Sequence, residues 1–121
     1  MKKIAMVLVM VFVAASLFAA PLPLGEFPSG RWLDKNYDAI WEFSSHNIRI
    51  LGLDGRVHWD FSTKTVENLR QFLDGDNPTI TFSCPEAERS YRLSVVRPEN
   101  HMSMEFDKKN FGEYRIMMPR H

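Results

Sequence analysis

The chain has one cysteine, Cys84, in 121 residues, so no internal disulfide can hold it together. A fold built from it must stand on its hydrophobic core alone. An excess of one charge is missing too. Lys and Arg total 15 against 15 Asp and Glu, with no long block of either sign, which removes the electrostatic draw toward nucleic acid. The short signatures of common enzymes are absent: there is no HExxH, glycine-rich phosphate loop, GxSxG or paired-cysteine motif. No catalytic residue and no cofactor is expected from this sequence.

What is present begins with a leader. Lys2 and Lys3 precede an uncharged apolar run from Ile4 to Phe18, and small residues follow at Ala19 and Ala20. This pattern predicts an export signal over residues 1–19. Cleavage after Ala19 is preferred to cleavage after Ala20, because Pro21 would then occupy the position that signal peptidases avoid. The apolar run is short for a bilayer span of about 20 residues; left uncleaved, it would be an N-terminal anchor. Removal leaves one domain of about 100 residues, with no membrane span expected, carrying 13 basic and 15 acidic side chains once Lys2 and Lys3 are gone. The opening is bacterial in type, so the expected location is the periplasm or the extracellular space.

Residues 20–30 are rich in Pro and Gly and predict an extended lead-in, neither helix nor central strand. From there, residues 31–121 break into short runs of period two. Trp41 and Phe43 share a face, as do Ile48 and Ile50; Val57, Trp59 and Phe61; Ile80, Phe82 and Cys84; Tyr91, Leu93 and Val95; Met102, Met104 and Phe106; and Tyr114, Ile116 and Met118. Turn residues punctuate the gaps, with Asp54-Gly55 as a hairpin signal. The expectation is an all-β fold, an antiparallel up-and-down meander of about eight short strands forming a small barrel. The alternative is a β-sandwich with a short helix near 63–73, where Val66, Leu69 and Phe72 also stand at helical spacing. Strand is preferred there because both flanks belong to the meander.

The inward face reads as almost wholly apolar, so the interior is either a filled core or a pocket for one small hydrophobic ligand. Trp41, Phe43, Trp59, Phe82, Tyr91, Met104 and Tyr114 are the candidate lining. Large aromatics and methionines favour filling, although methionine also repacks around an irregular guest. Cys84 falls on the same face and reads as a small buried apolar residue. His58 and Asp60, with His46 or His101, could form a surface metal site or plain strand decoration, and decoration is preferred, so no metal is assigned. Asp74-Gly75-Asp76-Asn77 lacks the spacing of a calcium loop and reads as a turn.

Gly30-Arg31-Trp32, close to the expected mature N-terminus, resembles the Gly-x-Trp opening of the lipocalins and the wider calycin group. That resemblance implies a small barrel closed at one end by Trp32, with an arginine near the last strand packed across it, for which Arg115 is the candidate. It also implies a secreted, non-catalytic protein that binds a small hydrophobic ligand, or a barrel that serves as a scaffold. The second and third lipocalin motifs are not recognisable. The alternative partner is a secreted protein, with the chain acting as an inhibitor of a hydrolase through the tail PLPLGEFPSG; a bare linker is the plainer reading of that tail.

Overall fold

The computed structural model describes residues 21–108 and 112–121, so the leader over residues 1–19 lies outside the described part. The chain is all-β. Strands β1 (Gly30–Asp34), β2 (Ala39–Phe43), β3 (Ile48–Gly52) and β4 (Val57–Asp60) form one antiparallel sheet. Strands β5 (Glu67–Asp74), β6 (Asn77–Cys84), β7 (Arg89–Val96), β8 (His101–Lys108) and β9 (Gly112–Met118) form a second. Within each sheet, every strand pairs with its neighbours in sequence, as a meander requires.

Two expectations are revised. The strand beyond the eight predicted is β1, whose alternation is short and hidden beside the prolines. The strands also do not close into one barrel, because no ladder joins β4 to β5. The break has a local cause. The Asp60 carboxylate accepts from the Ser62 N–H at 2.9 Å and the Ser62 hydroxyl at 2.7 Å, ending β4 in a single 3-10 turn at Phe61–Thr63. Phe61, read from the sequence as a strand residue, sits in that turn and is fully buried. Along the other seam the sheets do meet: Trp32 bridges Arg120, Leu33 N–H donates to the Pro119 carbonyl, and His121 N–H donates to Arg31, both at 2.9 Å. The result is a two-sheet sandwich stitched along one side.

The segment 63–73 is strand for most of its length, since β5 spans Glu67–Asp74. Gly55, at φ +86, makes the Asp54-Gly55 hairpin turn, where the Asp54 carboxylate accepts from Arg56 N–H. Asp74 and Asn77 pair across a two-residue turn. The sequence Asp74-Gly75-Asp76-Asn77 is therefore a hairpin, with Asp74 held by Arg92 at 2.7 Å.

Between the sheets, side chains stack in rows set by the registers. Trp32, Trp41, Ile50 and Trp59 are successive cross-strand partners in the first sheet. Phe82, Tyr91, Phe106 and Tyr114 are successive partners in the second, with ring centres 5.1, 5.6 and 4.8 Å apart. Phe61 joins the rows, lying 5.8 Å from Trp41 and 5.6 Å from Tyr91. Offset and edge-on pairs of this kind add to the stabilisation from area burial. Cys84 is buried in this core as a free thiol.

The lead-in is part of the core. Leu22, Leu24 and Phe27 are buried, Phe27 against Phe43 at 5.2 Å. Leu22 N–H donates to the His46 carbonyl in the β2–β3 loop, and Gln71 of β5 donates to the Pro23 carbonyl, both at 2.7 Å. Residues 22–27 thus span from the first sheet to the second and plug that end of the sandwich.

Candidate functional site

The opposite end carries the β1–β2, β3–β4 and β6–β7 connections, and no segment among the described residues plugs it. Two adjoining recesses open there and share Ile50 and Arg89 as walls. The smaller, about 140 Å³, is lined by the buried Asp34, Trp41, Met104 and Phe106 and by the exposed Tyr37. The larger, about 360 Å³, is walled by Trp59, Tyr91, His58 and Glu86.

The polar groups at this end come from strand termini. Asp34 closes β1 and shares the parity of Trp32, so it faces in and is buried. Its carboxylate accepts from the backbone N–H of Asn36 at 2.9 Å and from the Tyr114 hydroxyl at 3.1 Å. Burial pushes the Tyr114 hydroxyl above its ordinary range, and the neighbouring Asp34 charge adds to this, while a hydrogen bond from Asn36 opposes it. Arg89 opens β7 on the same face as Tyr91. Its guanidinium lies 4.3 Å from the Phe106 ring centre, a cation–π arrangement. Burial likewise raises the Tyr91 hydroxyl, against the opposing hydrogen bond and charge of Arg89. Both tyrosines are therefore protonated at neutral pH.

Of the seven residues proposed as lining, Trp41 and Met104 reach the smaller recess and Trp59 and Tyr91 the larger. Tyr114 stands behind Phe106 and holds Asp34. Phe43 and Phe82 pack in the core away from both recesses, with Phe43 on Trp32 and Phe27 and Phe82 on Phe61 and Tyr91. The inward face is not wholly apolar, since sequence reasoning passed over Arg89 and Asp34. Period two was the signal available: Arg89-x-Tyr91-x-Leu93 and Trp32-x-Asp34 put both on the inner parity.

Trp32 is fully buried at the plugged end, donating its indole N–H to the Asn100 carbonyl at 2.8 Å. The guanidinium across it belongs to Arg120, 5.3 Å from the ring centre, whereas Arg115 projects from β9 toward Glu105 at 3.9 Å with its side chain two-thirds exposed. Asp60 is committed to Ser62 and to Asn47, the latter at 2.8 Å. Among the described residues, no three His, Cys, Asp or Glu side chains converge as a metal site would need, and no helix is long and apolar enough to cross a membrane.

Fold and site together define an all-β two-sheet protein, plugged at one end and recessed at the other. No protein-family description, curated protein or solved structure matches the chain.

Proposed function

We propose that this chain is an exported, non-catalytic binding protein of lipocalin-like design, which takes one small, largely apolar ligand into the recesses at its open end. The observation that carries this reading is the asymmetry of the two ends. At one end Leu22, Leu24 and Phe27 are buried between the sheets, with a recess of about 350 Å³ outside Phe27. At the other no described segment enters between the sheets, and the half-buried Ile50 and Trp59 wall the recesses beside Arg89 with the buried Trp41 beneath. Concave, mostly apolar sites with a few polar groups are where small molecules bind. The seam at Trp32, covered by Arg120, is similar to the Trp–Arg contact that the Gly-x-Trp resemblance implies. Predominantly aromatic and aliphatic walls suit holding an apolar molecule.

The mass of the mature protein from its native host, under native and then denaturing conditions, tests this. An added mass of a few hundred daltons that leaves on denaturation is the expected result. A bare chain under both conditions, from a host still producing its full metabolite set, speaks against a resident ligand.

A second reading has one observation in its favour. Tyr37, Leu53 and Val57 are exposed around the same open end, an apolar rim suited to docking on a secreted protein such as a hydrolase. In the tail PLPLGEFPSG, Leu22, Leu24 and Phe27 are buried while Pro21 and Pro23 are exposed, so the rim supports this reading more than the tail does. Co-purification of a stoichiometric partner that is lost on Leu53→Asp would favour this second reading.

A further inference from the structure

Among the described residues, two buried side-chain nitrogens have no hydrogen-bond partner: Arg89 Nε and Trp59 Nε1. Both belong to walls of the larger recess. Buried donors are nearly always satisfied, and each exception asks for an explanation. Two cationic side chains and one carboxylate stand near them: Arg89 itself, Lys64, and Glu86, on which the Lys64 charge acts. Lys64 Nζ lies 4.4 Å from the Trp59 ring centre, and no carboxylate among the described residues forms an ion pair with Arg89. Glu86 and, in the adjoining recess, Asp34 are otherwise engaged. The Thr65 N–H donates to Glu86 at 2.7 Å, and Asp34 is held by Asn36, Tyr37 and Tyr114.

We propose that the ligand of this site carries a carboxylate, which accepts from the Arg89 guanidinium, with the Trp59 indole N–H donating to the same ligand. This rests on the reading of the open end as a ligand site and names the chemistry that the site selects. The Phe106 ring centre, 4.3 Å from the guanidinium carbon, helps to hold the group in place before the ligand arrives. Arginine suits the role because its planar fork matches a carboxylate. The apolar body of the ligand lies against Ile50 and Tyr91 and extends toward Trp41 and Met104.

The test is a head-group series on one apolar body: octanoate, 1-octanol and octylammonium, titrated at neutral pH against the intrinsic tryptophan fluorescence of the mature protein. Octanoate should bind at least about tenfold more tightly than the other two. Arg89→Met should remove that preference, and Trp59→Phe should narrow it severalfold while leaving the alcohol unchanged. If Arg89→Met loses its β-sheet circular dichroism, Arg89→Lys and Trp59→Phe carry the test. Equal affinity for all three compounds overturns the carboxylate assignment and leaves the ligand site standing. A preference that survives in the folded variants also overturns it. Failure of all three to bind removes the ligand site itself.

Discussion

The Arg120 guanidinium spans the Trp32 ring and also donates to the Ser29 carbonyl at 3.3 Å. Strand β1 is thereby tied to the chain terminus by side chains as well as backbone. Gly30 makes this possible. At φ +150, a side chain there would bring its Cβ to 2.8 Å from the Arg120 Nη2 atom and 3.3 Å from the Trp32 ring. The Gly-x-Trp spacing thus has a steric basis: the glycine leaves room for the arginine that covers the tryptophan.

Truncating Trp32 to Ala should cost about 3–5 kcal/mol of unfolding free energy. Arg120→Ala should cost about 1 kcal/mol, and Arg115→Ala less than about 0.5 kcal/mol. Urea unfolding of the three variants ranks them, and an Arg115 effect equal to that of Arg120 would contradict the assignment of the covering cation.

The lead-in should behave as core. Leu24→Ala should destabilise by about 2–4 kcal/mol, and a mature chain starting at Pro28 should lose cooperative thermal unfolding. Unchanged melting of that truncated chain would restore the linker reading of these residues.

The two donor tryptophans should differ. Trp32→Phe forfeits the hydrogen bond to Asn100 and should cost more than 1.5 kcal/mol, or about that, from bond and area together. Trp59→Phe removes a donor that has no partner, so without ligand its stability should stay within about 1 kcal/mol of the parent. Chemical denaturation of ligand-free protein compares them, and equal losses would place a partner on Trp59.

Glu42 should make folding sensitive to acid. Partial burial pushes its carboxyl up, but hydrogen bonds and charge from Arg49 and Arg31 outweigh that and hold it below its ordinary 4.5. A carboxylate depressed in the folded state stabilises fully above its unfolded value, and that contribution is lost as pH falls through the folded value. Glu42→Gln should therefore cost about 1 kcal/mol at pH 7, and parent and variant should converge as pH falls below 4.5 and through the depressed folded value. A gap that persists at pH 2 would assign the effect to packing.

The strand pattern was legible because alternation survives in short runs. Val57-x-Trp59-x-Phe61 and Tyr91-x-Leu93-x-Val95 place their apolar residues inward, with only Val57 left exposed at the edge. Closure was not legible, since it depends on Asp60 capping a turn around Phe61, and a strand continuing through Phe61 has the same parity. The role of the lead-in was hidden because Leu22, Leu24 and Phe27 follow no period among their prolines; only the folded chain brings them to His46, Gln71 and Phe43. Arg115 is the arginine that the strand pattern offers, whereas Arg120 acts from the segment beyond β9, where pattern gives no guidance. Arg89 was passed over because a charged residue at a strand end reads as solvated, although its parity pointed inward.

The central claim is that a ligand enters at the end away from Trp32, and the three indole N–H resonances test it directly. In a nitrogen–proton correlation spectrum of the mature protein titrated with octanoate, the Trp59 signal should move downfield as its proton gains an acceptor. The Trp41 signal should shift as its wall is covered, and the Trp32 signal, bonded to Asn100 at the sealed end, should stay in place. Movement of Trp32 alone, or of none of the three up to the solubility limit, would contradict the account.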